Sequence, residues 1–182
     1  MTGRILTPAK RRRRVRGRPR AVLALTLFGL GLIGLAALVR PAPWLVWNAS
    51  ASAPIGLYRV LPGNAVRGDL VLVRTPNSVR QLAAERGYLP QNVPLVKRVA
   101  ALDGDVICAA GDAISVNGRV VGERLLHDRF GRLLPAWSGC RLLDGGEVFL
   151  LMEGVSDSFD GRYFGPVRRA AIIGRLLPLW VE

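Results

Sequence analysis

An uninterrupted apolar segment near the start of the chain limits its possible folds more than any other feature. Residues 21–39 contain no charge and no proline, and Thr26 carries their only hydroxyl. A helix of this length spans roughly 29 Å at about 1.5 Å per residue, close to the thickness of a bilayer's hydrocarbon core. The segment therefore predicts one transmembrane helix. A cleaved signal peptide is the competing interpretation, but Arg40 and Pro41 follow the segment instead of a small-residue cleavage site.

The positive charge of the chain is concentrated beside this segment. Residues 1–40 hold ten of the 26 lysines and arginines and no acidic residue, whereas the rest of the chain has a net charge of +3. Arginine-rich flanks stay on the cytoplasmic side during insertion. We therefore predict a single-pass membrane protein, with residues 1–20 as a basic cytoplasmic leader and residues 40–182 as a domain on the far side of the membrane.

Two alternatives concern the flanks of the predicted span. A basic run such as residues 10–20 could bind nucleic acid, but these arginines adjoin the membrane segment, so we expect no nucleic-acid partner. Trp44 and Trp47 fit either the outer interface of the bilayer or ordinary core packing.

The predicted exported part contains two cysteines. Oxidising conditions outside the cytoplasm favour a disulfide between Cys108 and Cys140. Such a bridge would close a loop of about 32 residues and stabilise the domain by a few kcal/mol. Two buried free thiols are the alternative.

Short β-like runs between turn signals predict a mainly β domain. Asn117-Gly118 is a strong two-residue hairpin signal, because both central positions of that turn require positive φ. One short helix is predicted over residues 78–86, ending at Gly87. The predicted strands are residues 56–61, 70–74, 95–101, 106–110, 114–116, 119–121, 148–152 and 172–180.

Few residues in this domain could carry metal or nucleotide chemistry. No His/Cys/Asp cluster has metal-ligand spacing, and no glycine-rich loop opens a helix as phosphate binding requires. His127, the only histidine, lies in a polar stretch and is interpreted as a surface residue. We expect no metal and no cofactor.

Lys97 is the only lysine beyond the basic leader. A desolvated lysine can lose its proton near neutral pH, whereas arginine cannot. If residues 95–101 form a strand, Lys97 shares a face with Leu95 and Val99, and its amine lies among apolar side chains. Such an amine could take a proton from a serine hydroxyl. The alternative is a lysine whose amine extends to water.

Four segments, in order, resemble the signal peptidase I superfamily, and the first resembles its TraF-type branch, the conjugative transfer signal peptidases. The branch's nucleophile motif is Ser-x-Pro-x-Gly-Leu-Tyr, and a Gly-Asp strand, a lysine box and a final Ser-x-Asp-Ser-Arg-Tyr box follow it. The matching segments are Ser52–Tyr58 (SAPIGLY), Arg67–Val73 (RGDLVLV), Val96–Asp105 (VKRVAALDGD) and Ser158–Val167 (SFDGRYFGPV).

The resemblance implies a role for each matched residue. Ser52 would be the nucleophile, and Lys97 its general base. Ser158 would hold the lysine amine by a hydrogen bond. Asp160 and Arg162 would form an ion pair behind it, which is either catalytic or only structural.

Ser50 matches a position whose hydroxyl, with the Ser52 backbone N–H, forms the family's oxyanion hole. Asp103, Ala101 and Gly161 depart from the proline, glycine and serine usual in the family. The implied architecture is a signal-peptidase-like β fold with a reduced second β subdomain over about residues 110–143.

The implied activity is that of a membrane-bound serine endopeptidase that removes leader peptides from exported precursors. The expected substrate is the pilin of a conjugative type IV secretion system. Three alternatives stay open: an acyl-transfer cyclase that joins pilin ends, a catalytically inactive pilus-assembly scaffold of the same fold, and a self-processing enzyme.

Overall fold

The computed structural model describes residues 19–38 and 43–182, which separate into an N-terminal helix and a larger domain. The prediction of a basic leader falls mostly on residues 1–18, outside the described residues. The end of the predicted span and its junction with the domain, residues 39–42, also lie outside them.

Helix α1 spans Pro19–Leu38. Val22, Leu25 and Phe28 are among its large apolar side chains, and each is more than half exposed. Within residues 19–38 and 43–182, no helix combines the length and the apolarity needed to cross a membrane. A helix is thus present over the described part of the predicted span, residues 21–38, whereas its transmembrane character is not confirmed.

The larger domain is mainly β, as predicted, and is built on a seven-stranded antiparallel sheet with strand order β1-β2-β11-β3-β4-β9-β10. Its strands are β1 Leu45–Asn48, β2 Gly56–Leu61, β3 Leu70–Val73, β4 Leu95–Ala101, β9 Glu147–Leu150, β10 Val167–Arg168 and β11 Ile172–Val181. The bounds predicted for β2 and β4 match those in the structure.

A second sheet is formed within residues 106–142 and so begins before the segment of about residues 110–143 predicted for the smaller subdomain. Its four strands have the order β7-β6-β5-β8, with β5 Val106–Ala110, β6 Ala113–Val116, β7 Arg119–Glu123 and β8 Gly139–Leu142. Asn117 and Gly118 form the turn between β6 and β7, and both have positive φ. Cys108 of β5 lies opposite Cys140 of β8, and a disulfide joins them.

Strand β9 contributes side chains to two hydrophobic cores, one on each of its faces. Val148 and Leu150 of β9 belong to a core with β3 and β4, whereas Phe149 belongs to a core with the second sheet. Leu151, directly after β9, also packs with the second sheet. This alternation follows from the period of two along a strand.

Helices contribute little to the domain. The predicted helix over residues 78–86 is present as α2, Asn77–Glu85. Sequence reasoning missed the four-residue helix α3, Gly161–Phe164, together with strands β1, β8 and β10. A 3-10 turn at Arg169–Ala171 precedes β11.

Candidate active site

Ser52 lies on the seven-residue loop that joins β1 to β2. The last paired residues of the two strands are Asn48 and Gly56. Gly56 has φ +151, and a Cβ there would clash with the main-chain oxygen of Trp180. Only glycine therefore lets β2 and β11 approach this closely. The loop ends at Gly56, where β2 and β11 are in close contact, and Ser52 on this loop is half-buried.

Lys97 reaches this loop from β4. Burial alternates along the strand, so Lys97 points to the same side as Leu95 and Val99, as the sequence predicts, and is only 3% exposed. Its Nζ lies 3.1 Å from Ser52 Oγ and 2.7 Å from Ser158 Oγ. Three residues distant in sequence therefore meet at one amine.

The environment of Lys97 favours the neutral amine. Desolvation by burial lowers its pKa from the ordinary 10.5 to about 8, the nearby charge of Asp160 opposes this shift, and that of Arg162 adds to it. The carboxylate of Asp157 also raises the pKa. A substantial fraction of the amine is therefore unprotonated in mildly alkaline solution.

Asp160 and Arg162 form a buried ion pair behind the lysine. Asp160 is fully buried and Arg162 is 2% exposed. Nε and Nη2 of Arg162 each lie 3.0 Å from a carboxylate oxygen of Asp160. The second carboxylate oxygen also accepts from the backbone N–H of Met152.

Arg162 organises the loop that carries Ser158. Its guanidinium donates to the main-chain oxygens of Met152, Val155 and Ser156, which precede Ser158 along the chain, and to that of Glu123. The pair thus has a clear structural role, and its charges also act on Lys97.

Ser50 lies beside Ser52 on the same loop. Its Oγ is 3.0 Å from Ser52 Oγ, and either hydroxyl can donate. The backbone N–H of Ser52 also points to Ser50 Oγ, at 3.4 Å. The Ser50 hydroxyl and the Ser52 N–H therefore lie side by side and are hydrogen-bonded to each other.

Two residues that contact the nucleophile loop were missed as site residues. The Asn48 side chain bonds to the main chain of Ser50, Ala53 and Pro54. The Tyr58 hydroxyl donates to Pro54 O at 2.7 Å. One available signal was a polar residue closing the apolar run Leu45-Val46-Trp47 immediately before the serine loop.

Other candidates from the sequence lie apart from this group. His127 is exposed and pairs with Leu133 in an isolated bridge. Cys108 and Cys140 belong to the second sheet. Within the described ranges, no group of three or more His, Cys, Asp or Glu residues could hold a metal ion.

The arrangement is suited to acyl transfer. A neutral Lys97 amine can accept the Ser52 proton, which makes the hydroxyl oxygen a nucleophile. Ser158 fixes the amine from its other side. Ser52 is only half-buried, so it can be approached from solvent.

Comparisons with known proteins identify a family and several relatives of this chain. The family model described as "Signal peptidase, peptidase S26" matches residues 18–180. The plasmid transfer protein TraF of Escherichia coli is 35% identical over 135 residues, which cover 69% of this chain and 76% of the relative. The probable conjugal transfer protein TraF of Sinorhizobium fredii is 33% identical over 177 residues, which cover 89% of each chain.

A solved structure is also similar. The crystal structure of a signal peptidase I from Enterococcus faecalis is 19% identical, with a TM-score of 0.39, and the match covers 63% of this chain and 98% of that one.

Proposed function

The chain belongs to the signal peptidase family, peptidase S26, and we propose that it is a serine endopeptidase that removes leader peptides from exported precursors. One observation carries the proposal. Lys97 Nζ lies 3.1 Å from Ser52 Oγ, and burial lowers the pKa of that amine to about 8. Proton transfer from hydroxyl to amine requires both conditions.

The proposed reaction has two halves. Lys97 accepts the Ser52 proton while Oγ attacks the scissile carbonyl, and the resulting ammonium then protonates the leaving amine. This leaves an acyl-enzyme on Ser52. Water, deprotonated by Lys97, releases the acyl group and restores the free hydroxyl.

The negative charge that develops on the carbonyl oxygen needs donors. We assign the Ser52 backbone N–H and the Ser50 hydroxyl to this task, because they lie together beside Ser52 Oγ. In this proposal, both donors change partners. The Ser50 hydroxyl leaves Ser52 Oγ, the Ser52 N–H leaves Ser50 Oγ, and both then donate to the oxyanion. Such a donor is often worth about 3 kcal/mol in the transition state.

The proposed substrate is the pilin precursor of a conjugative type IV secretion system. Support comes from the relatives, which are named as plasmid transfer and conjugal transfer proteins. By resemblance, small side chains such as alanine are preferred at the first and third positions before the cut.

We further propose that the domain works on the periplasmic face of the inner membrane, with the N-terminus cytoplasmic. Three exposed tryptophans support a membrane surface, because indole rings favour the boundary between lipid and water. Trp44 and Trp47 lie before and on β1, and Trp180 lies on β11. The rings of Trp47 and Trp180 pack together, with their centroids 5.6 Å apart.

The test uses membranes that contain a candidate pilin precursor and one variant of the full-length protein. We expect Ser52→Ala and Lys97→Ala to abolish leader removal, whereas Ser78→Ala, at an exposed serine of α2, cleaves normally. Unchanged cleavage by both active-site variants would remove the dyad. A different result would indicate a scaffold. In that case pili assemble normally in cells with Ser52→Ala and fail to assemble only in cells that lack the protein.

The mass of the product separates hydrolysis from joining. Hydrolysis leaves a free carboxyl group at the cut, whereas attack by an amine of the same pilin gives a product lighter by one water. A shortened form of the enzyme itself would indicate self-processing.

A further inference from the structure

The carboxamide of Asn48 lies at the centre of the loop that carries Ser52. The side chain is buried, with 5% of the residue exposed, although the loop around it faces solvent. Its Oδ1 accepts from the Ser50 N–H at 3.1 Å. Its Nδ2 lies 2.9 Å from Ser50 O, 3.1 Å from Ala53 O and 3.0 Å from Pro54 O.

We infer that Asn48 is a positioning residue that holds the Ser52 hydroxyl and the Ser50 hydroxyl in the geometry needed for acyl transfer. The inference rests on the proposed function, since it concerns the same reaction. Asn48 touches neither hydroxyl and acts through the main chain on both sides of Ser52.

The direction of the carboxamide is fixed by its partners. Nδ2 faces three carbonyl oxygens, and Oδ1 faces an N–H. The reversed amide would place an acceptor against three acceptors and a donor against a donor. The two amide hydrogens are shared among the three oxygens, so one side chain closes the loop from residue 50 to residue 54.

Asn48 is itself held by the sheet. It is the last residue of β1 and pairs with Gly56, the first residue of β2. Gly56 in turn lies against the main chain of Trp180 in β11. The carboxamide therefore fixes a loop to a rigid frame, and Tyr58 adds a second donor to Pro54 O.

Neither aspartate nor alanine can replace this side chain. Aspartate has nearly the same shape, but its carboxylate would face three carbonyl oxygens. Alanine leaves those oxygens and the Ser50 N–H without the partner that defines the loop. In both variants Ser52 is displaced relative to Lys97, which is placed independently on β4. A displacement of about 1 Å can lower a catalytic rate about 100-fold.

The kinetic test compares Asn48→Asp and Asn48→Ala with the wild type and with Asn92→Asp, the same change at an exposed asparagine. The probe is an internally quenched peptide with an apolar leader and alanine at the first and third positions before the cut. Measurements are made at a temperature where circular dichroism shows every variant fully folded. We expect kcat to fall about 100-fold in both Asn48 variants, with KM within about threefold and an unchanged pH midpoint. Asn92→Asp should match the wild type.

Amide hydrogen exchange tests the loop without any substrate. We expect the Ser50 amide to exchange at least tenfold faster in Asn48→Ala, with the β4 amides unchanged. Normal exchange, or wild-type kcat in Asn48→Asp, would overturn the inference while Ser52-dependent cleavage still supports the proposed function. If Ser52→Ala cleaves the precursor as well as the wild type does, the proposed function fails, and the exchange result alone decides whether Asn48 fixes the loop.

Discussion

Replacing Lys97 with methionine removes the titrating amine but keeps an unbranched side chain of similar length. Lys97 is 3% exposed, and burial lowers its pKa from 10.5 to about 8. The shift means that the folded domain disfavours the charged amine. We expect Lys97→Met to lose catalysis and to change how stability depends on pH.

The sign follows from proton binding in the two states. Below about pH 8 both the folded and the unfolded chain keep the Lys97 proton, so Lys97 adds no pH dependence there. Between about 8 and 10.5 the folded chain has released the proton and the unfolded chain still holds it, so stability rises with pH. From pH 7 to pH 10 the wild type should gain about 2.5 kcal/mol relative to Lys97→Met.

Urea denaturation at pH 7 and pH 10, followed by tryptophan fluorescence, measures this gain. The full-length chain is kept in a mild nonionic detergent, because α1 exposes apolar side chains. The contributions of other titrating groups to the pH dependence of stability cancel when the wild type is compared with the variant. The comparison uses only the change between the two pH values, so any effect of Lys97→Met on stability that does not depend on pH cancels.

Arg98→Met is the matched control, since Arg98 is the exposed neighbour on β4 and arginine keeps its proton in this range. Its stability relative to the wild type should not change between the two pH values. The reasoning would be refuted if the wild type gained less than about 0.5 kcal/mol in free energy of unfolding, relative to Lys97→Met, from pH 7 to pH 10. The lysine would then titrate near its ordinary value.

Three further predictions follow from the structure. Leader cleavage should increase about tenfold in kcat/KM between pH 7 and pH 9, because the neutral fraction of Lys97 rises as the pH passes its pKa of about 8. Replacing Cys108 and Cys140 together with alanine should lower the free energy of unfolding by about 3–4 kcal/mol, the chain-entropy value for the loop that they close. Gly56→Ala should cost about 3 kcal/mol or more and lower activity, because its Cβ meets the main chain of Trp180.

Each of these predictions has a control or a contradicting result. A flat rate between pH 7 and pH 9 would contradict a base with this pKa. Reduction of the wild type should lower its urea midpoint by as much as the double cysteine substitution does. Equal midpoints for the reduced and the oxidised wild type would contradict the disulfide estimate. Gly122→Ala meets nothing closer than 3.9 Å, so a loss as large as that of Gly56→Ala would show that the close approach is not the cause.

The parts of the fold that the sequence predicts well have strong local patterns. Residues 95–101 and 106–110 are bounded by turn signals, and both strands appear with the predicted bounds. The four residues of β8 are all exposed, so no alternation of apolar and polar residues marks them. Helix α3 and strand β10 are too short for any periodicity to identify.

The candidate site divides in a similar way. Strand alternation alone places Lys97 on the buried face of β4, but its approach to Ser52 was expected from the resemblance and not from periodicity. The contacts of Asn48 could not be predicted, because its partners are main-chain oxygens, which look the same in every sequence. Such contacts depend on the path of the loop, which only the folded chain defines.

The alternation of β9 between two cores limits how this fold can be trimmed or enlarged. Phe149 and Leu151 are almost completely covered and pack with the smaller sheet. A shortened relative that dispensed with that sheet would leave both side chains facing water, one residue away from those that support β4. The smaller sheet therefore covers the face of β9 opposite to the one that packs on β3 and β4. Any natural or engineered change in the size of that sheet must keep Phe149 and Leu151 out of water.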